Sequence, residues 1–297
     1  MKRILVTGGT GFVGGFLTKH LTSLGNEVFI LTRKDKQSEE KGVQYVQWMG
    51  SNEPDLPPID AVVNLAGESI NGRWTDEKKK SILNSRLKVT EELLKLVKKM
   101  PQKPSVWVNA SAIGYYGTSE TEVFTERSSK HGSDFLAEVV RAWETKASEA
   151  KSLGIRTVFT RFGLVLGKDG GVLPQLSLPY RFFAGGTVGS GKQWVSWVHV
   201  EDVAKLITEA IENDQYSGPV NVTSPHPVTM KEFGQATGDA MHRPHWLPAP
   251  SIAFKIMFGE MSMLILKGQQ VLPEKAQNIG YTFSYPQLKG ALHDLLQ

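Results

Sequence analysis

RILVTGGTGFVGGF, residues 3–16, is a short apolar run that breaks into glycine and then resumes with helical spacing from Phe16 to Leu24. Gly9, Gly11 and Gly14 stand at G-x-G-x-x-G, while Gly8, Gly11 and Gly14 satisfy the related G-x-x-G-x-x-G. Glycine at these places permits a tight turn, lets backbone approach a pyrophosphate, and packs helix against strand. The helix that follows offers free N–H groups and the positive end of its dipole to the phosphates. Thr10, Phe12 and Val13 would line the same turn. A glycine triplet alone is weak evidence; one placed between a first strand and a first helix predicts a dinucleotide site.

Outward from that turn, apolar strands and amphipathic helices alternate. EVFILT, DAVVNLAG, SVWVNAS and RTVFTRFG read as strands, and DEKKKSILNSRLKVTEELLKLVKKM and GSDFLAEVVRAWETKASEAKSLG as long helices of period 3.6. Near-continuous apolar strands separated by helices predict a parallel sheet covered on both faces, a doubly wound Rossmann-type α/β fold. After Gly167 the rhythm weakens, and residues 170–194 read as a long Gly/Pro-rich connection. HVEDVAKLITEAIEN restores a helix and GPVNVTSP adds a strand. Thr229 with Glu232 marks a capping box opening one more helix. The division expected is a dinucleotide-binding domain over 1–230, with 168–197 contributing to the substrate site, and a small C-terminal substrate lobe over 231–297. The methionine-rich segment SIAFKIMFGEMSMLIL is expected in the core of that lobe.

At 297 residues the chain can bury a substantial core. It has no cysteine, which excludes disulfides, thiolate metal sites and a cysteine nucleophile. The net charge of +4 is spread over clusters that also contain acids, so a solvated surface is expected rather than nucleic-acid binding. His242 and His245 lack acids or cysteines at ligand spacing, and no metal is expected. No run approaches the length of a membrane helix, and glycines interrupt the apolar N-terminus too early for an export signal. A cytoplasmic location is expected. So is a small-molecule substrate, with no nucleic-acid or membrane partner and a homodimer left open.

The residues ending EVFILT select the dinucleotide. An NAD site usually carries an acid there; here Thr32, Arg33 and Lys34 come first and Asp35 falls beyond. Arginine can clamp a 2′-phosphate bidentately and stack on adenine, so NADP(H) is the expected cofactor.

TGGTGFVG, NLAG at 64–67, Ser111 at a strand end and WVHVEDVA from Trp197 resemble the short-chain dehydrogenase/reductase superfamily in its extended, epimerase/dehydratase-like branch. GRWTDEKKKSILNSR, SAIGYYG, AWETKA, RFGLVLGKDGG and GSGKQWVSWVHVEDV are similar to its atypical YfcH-type group. QQVLPEKAQNIGYTFSYPQLKGALHDLL resembles that group's C-terminal domain of unknown function. The resemblance spans essentially the whole chain. It implies that Asn64, Leu65, Ala66, Gly67 and Ala110 line the cofactor, the loop residues through backbone contacts.

It also implies a serine holding the substrate oxygen, a tyrosine transferring a proton, and a lysine four residues later lowering that tyrosine's pKa. Ser111 keeps the serine's place. Where the pair should be, Phe135 and Val139 stand instead, and Tyr285 with Lys289, the only Tyr-x-x-x-Lys, lies in the C-terminal lobe after a proline. Tyr116, or second Tyr115, is the expected substitute donor, with Lys130, His131 or Glu126 as neighbours; packing of the site wall is the competing role. Arg161 and Gly163 end a strand on the ligand side of the sheet, Arg161 reading either as an anion anchor or as a structural ion pair. Trp194 and His199 are expected to line the substrate pocket, with a structural histidine the simpler reading of His199. The expected function is an NADP(H)-dependent oxidoreductase or epimerase-like enzyme. A catalytically silent NADP(H) sensor is the alternative.

Overall fold

The computed structural model describes residues 1–33, 36–50 and 54–297. The chain opens with β1 (Arg3–Thr7), α1 (Phe12–Ser23), β2 (Glu27–Thr32), β3 (Val43–Gln47) and β4 (Ala61–Asn64). There follow α2 (Asp76–Lys99), β5 (Val106–Ala112), β6 (Val123–Phe124), α3 (Phe135–Ser148), β7 (Arg156–Phe162) and β8 (Leu164–Leu166). Next come α4 (Leu173–Arg181), β9 (Trp194–Val195), β10 (Trp197–His199), α5 (Val200–Glu212) and β11 (Gly218–Val222). The C-terminal part holds β12 (Val228–Thr229), α6 (Met230–Met241), α7 (Ser251–Phe258), α8 (Met263–Leu266), β13 (Gln270–Val271), α9 (Glu274–Ile279) and α10 (Leu288–Leu296).

Seven strands form one parallel sheet in the order β11-β7-β5-β4-β1-β2-β3. Alternation along β1 explains the two covered faces. Ile4 and Val6 pack with Leu17 and Leu21 of α1 and Val203 and Ile207 of α5, whereas Leu5 joins Val62, Trp107, Leu93 and Val97 on the α2 side. The doubly wound α/β fold read from the sequence is the fold observed. The chain crosses from one side of β1 to the other between β3 and β4, so the strand order reverses at β1 and β4. In such sheets the ligand crevice lies at that reversal, outside the carboxyl ends of the strands.

Local signals explain where the helices begin. The Thr75 side chain accepts the Lys78 N–H at 3.2 Å, and Asp134 accepts those of Leu136 and Ala137 at 3.0 and 3.2 Å. The capping box of α6 forms in both directions, with the Thr229 N–H reaching Glu232 Oε2 at 2.7 Å and the Glu232 N–H reaching Thr229 Oγ1 at 3.3 Å. A second core, with Trp197, Phe233 and Leu292 at its centre, joins α6 and α10 to the β9–β10 segment.

Three elements depart from expectation. β3, with only Val46 buried, is an edge strand that its half-polar VQYVQ pattern concealed. Within the Gly/Pro-rich connection α4 forms despite Pro179, because Pro174 sits in its first turn where no N–H is required. In the methionine-rich segment Met261 is buried, but Ile252 and Ile256 are exposed rather than core.

The outer edge of β11 is sealed by side chains. Pro219 has no N–H to offer, and Glu126 Oε1 accepts the Asn221 N–H at 2.9 Å. Lys275 Nζ donates to the carbonyls of Ser217 and Pro219 at 2.5 and 2.6 Å. Burial raises the Glu126 carboxyl pKa, the backbone N–H groups it accepts opposing the shift.

Candidate active site

The turn after β1 is shaped by what its glycines exclude. Gly8 adopts φ +71°, and a Cβ there would come within 2.8 Å of the Leu65 backbone. A Cβ on Gly14 would lie 2.2 Å from the Gly8 carbonyl oxygen. Helix α1 therefore starts pressed against the turn. Its N-cap, Gly11, has no side-chain hydrogen bond, and no acid stands in the first turn. The backbone cradle and uncapped positive helix end fit a dinucleotide pyrophosphate. The Phe12 ring enters a slot made by Gly167 and Gly170, where a Cβ would lie 2.3 Å from it. That contact explains why Gly167 and Gly170 of GKDGG carry no side chain.

On one side of this turn Thr32 ends β2 and Arg33 follows, exposed; Lys34 and Asp35 lie outside the described residues. On the other side runs the 64–67 loop. The Asn64 side chain is sealed in a buried network, with Thr7 Oγ1 donating to its Oδ1 at 2.7 Å. Its Nδ2 donates to Thr90 Oγ1 and Asn109 Oδ1 at 3.0 and 2.7 Å. Thr7 also receives the loop backbone, taking the Leu65 N–H at its carbonyl and the Ala66 N–H at its hydroxyl, at 3.1 and 3.3 Å. Ala110 is buried in β5.

Beyond β5 the expected reactive residues do converge, as a closed network. Ser111, 3% exposed, donates its hydroxyl to Glu144 Oε1 at 2.6 Å. Arg161 clamps the same carboxylate with two bonds of 2.8 Å and reaches the Tyr116 hydroxyl at 3.0 Å. Tyr116 in turn donates to Asn221 Oδ1 at 2.8 Å. Burial alone would lower the Arg161 pKa, but the Glu144 carboxylate outweighs it and the net shift is upward. Burial raises the Tyr116 pKa, against the pull of Arg161. Its hydroxyl thus has both its proton and an acceptor site engaged. Tyr115 differs: its ring stacks on the Arg161 guanidinium at 3.5 Å, and its hydroxyl has no hydrogen-bond partner among the described residues. His131 lies edge-on to Tyr115 with centroids 6.3 Å apart, Lys130 pairs with Glu122 at 2.7 Å, and Glu126 serves the β11 edge.

On α3, Phe135 meets Trp74 edge-on at 5.4 Å, and Val139 is buried among Trp74, Ile82 and Met261. These two positions offer neither hydroxyl nor ammonium. The remaining candidates are spread more widely. A Cβ on Gly163 would lie 2.4 Å from the Ser196 carbonyl oxygen, and the Trp194 indole N–H donates to the Glu120 carbonyl at 3.0 Å. His199 caps α5 by accepting the Glu201 N–H at 3.2 Å, and its ring stacks on Tyr285 at 3.9 Å. Burial lowers its pKa, with Asp294 opposing. Tyr285 itself is anchored by its N–H on Asp202 at 2.9 Å. We therefore expect Tyr285→Phe to leave dinucleotide affinity within about two-fold of the original, since the ring stack survives loss of the hydroxyl. A large loss of affinity in a fluorescence titration, at an unaltered melting temperature, would refute that placement.

Glu144 and Asn221 escaped the sequence reading. Glu144 left a signal, a lone acid on the buried face of α3 beside Trp143 and Ala147. Among the described residues no group of three or more His, Asp or Glu side chains could hold a metal, and no helix is long and apolar enough to cross a membrane.

A nicotinamide-dinucleotide cradle at the switch point of a doubly wound sheet is the plan of the extended short-chain dehydrogenases/reductases. The sequence agrees: the chain belongs to the NAD dependent epimerase/dehydratase family, whose model matches residues 4–223, and residues 249–295 match a domain of unknown function, DUF1731. It is 48% identical to the epimerase family protein YfhF of Bacillus subtilis, over 99% of this chain and 97% of that one. A crystal structure of the human epimerase family protein SDR39U1 (isoform 2) with NADPH is similar over 99% of both chains, at 37% identity and a TM-score of 0.90. The UDP-glucose 4-epimerase of Thermus thermophilus, solved with NAD, shares the fold at 20% identity and a TM-score of 0.77.

Proposed function

We propose that this chain is an NADP(H)-dependent oxidoreductase or epimerase-like enzyme acting on a small polar substrate. The observation that carries the reading is the uncapped α1 terminus at the β1/β4 reversal, with exposed Arg33 at the end of β2. The glycine turn holds the pyrophosphate through backbone N–H groups, and Arg33 takes the 2′-phosphate. The NADPH of the human relative supports that choice. When bound, the nicotinamide supplies or receives the hydride. Tyr115 moves the substrate proton in this reading, because its hydroxyl is the uncommitted one of the pair. Ser111 and Tyr116 act at one remove, holding Glu144 and Arg161 beneath it. The reading needs no nucleic-acid, membrane or metal partner.

Cofactor choice tests it directly. NADPH should bind at least ~10-fold more tightly than NADH, about 1.4 kcal/mol, and Arg33→Asp should erase or invert the preference. Equal affinities of the unaltered protein in a fluorescence titration would defeat the assignment. The apolar Phe135 and Val139 favour a second reading, an NADP(H)-binding sensor without turnover. It prevails if NADPH binds tightly while a broad substrate screen finds no hydride transfer.

A further inference from the structure

Arg86, on α2, is a half-buried cation that makes no direct ion pair among the described residues; Glu68 acts on it only at longer range. Its Nη1 donates to the carbonyls of Glu68 and Ile82 at 3.1 and 2.9 Å. Its Nε and Nη2 have no hydrogen-bond partner among the described residues, yet neither is sealed from solvent. The acid that acts on it electrostatically, Glu68, is hydrogen-bonded to Lys78 and Ser81 instead. Packing pushes the guanidinium down to about 10, which still leaves it charged at neutral pH. Withdrawing a cation from water without an anion or full hydrogen bonding is costly, and a protein retains such a group where a ligand completes it.

Its place indicates the ligand. A Cβ on Gly67 would lie 3.0 Å from Arg86 Cζ, so the guanidinium lies flat against the loop that leaves β4. The guanidinium also lies over Trp143, whose ring centre is 5.2 Å away and which stands one helical turn beyond Val139. The sheet order assigns the two halves of a dinucleotide draped over the β1 turn. The adenosine half lies toward β2 and Arg33, so the other half must cross the ends of β4 and β5.

We propose that Arg86 binds the ribose-phosphate oxygens of the nicotinamide half of the cofactor, supplying from α2 a fixed cation that Val139 does not supply from α3. The proposal rests on the dinucleotide reading of the glycine turn. Guanidinium suits the task because Nε and Nη2 present a planar, two-pronged donor to ribose or phosphate oxygens. The Glu68 and Ile82 carbonyls and the Trp143 face orient that fork before any ligand arrives.

The test compares two probes on the full chain by calorimetric or fluorescence titration: NADPH, and 2′,5′-ADP, which lacks the nicotinamide half. Arg86→Gln should weaken NADPH at least ~10-fold and leave 2′,5′-ADP within about two-fold. Arg86→Lys should restore part of the loss, since the charge returns without the fork. Ligand-free melting of Arg86→Gln should change little, because no direct ion pair is lost and the glutamine amide can still donate to a carbonyl. Unchanged NADPH affinity in Arg86→Gln, or equal loss for both probes, overturns the proposal. Failure of the unaltered protein to bind either probe overturns the dinucleotide reading itself, and this proposal with it.

Discussion

Glu144→Ala should destabilise the chain by about 3–5 kcal/mol, measured as a shift of the urea midpoint at unchanged slope. The reason lies in what the substitution leaves behind rather than in what it removes. Arg161 is 4% exposed, and Glu144 is its only carboxylate partner among the described residues, gripping it through two parallel bonds. Without that carboxylate a guanidinium stays buried beside Tyr115 and Tyr116 with its charge unanswered, and Ser111 loses its acceptor as well. Glu144→Gln should fall between the two, keeping one acceptor oxygen while losing the charge. Replacing both Glu144 and Arg161 with methionine should cost much less than Glu144→Ala alone, because no orphaned charge remains. A loss below about 1 kcal/mol for Glu144→Ala would mean that water reaches Arg161, and that Arg161 is available to ligands after all.

The second large effect separates the neighbouring tyrosines. If Tyr115 moves the substrate proton, Tyr115→Phe should lower turnover by a factor of ~10² to 10⁴ while NADPH affinity and melting temperature hold. Tyr116→Phe should do the reverse. It strands Asn221 Oδ1 and Arg161 Nη1, which costs about 1–3 kcal/mol of stability, and affects turnover only through the positioning of Arg161. The measurement is steady-state turnover with a substrate found by screening, set beside thermal melts of the same two variants. Near-normal turnover in Tyr115→Phe excludes the mechanism; a large loss confined to Tyr116→Phe transfers the role to the buried hydroxyl.

Residues whose roles are local could be read in advance. The glycine turn, the starts of α2 and α6, and the strands buried on both faces all follow from short-range rules of backbone freedom, capping and apolar runs. The orientation of Ser111 could not be read, for a reason built into such sheets. VWVNASA is buried from Val106 to Ser111, so alternation carries no inside-outside contrast and does not tell which face a hydroxyl takes. The same difficulty hid the pairing of Arg161, whose partner lies on another element 17 residues away. β3 escaped because its pattern is half polar, and α4 because Pro179 reads as a breaker, although a helix this short loses only one bond to it. Arg86 sat in a stretch rich in lysine and serine, where a cation looks solvated until the fold brings Gly67 against it.

The sealed rim of β11 has a bearing on association between molecules. An outermost strand with unpaired amides and carbonyls is a template on which another chain can add a strand, the route to swapped dimers and fibres. Here a proline, a carboxylate and an ammonium occupy the positions such an intruder would use. The ammonium comes from Lys275, within the 249–295 module. The C-terminal module thus covers part of the sheet's open edge. Severing it from the rest of the chain would leave the Ser217 and Pro219 carbonyls open to strand addition.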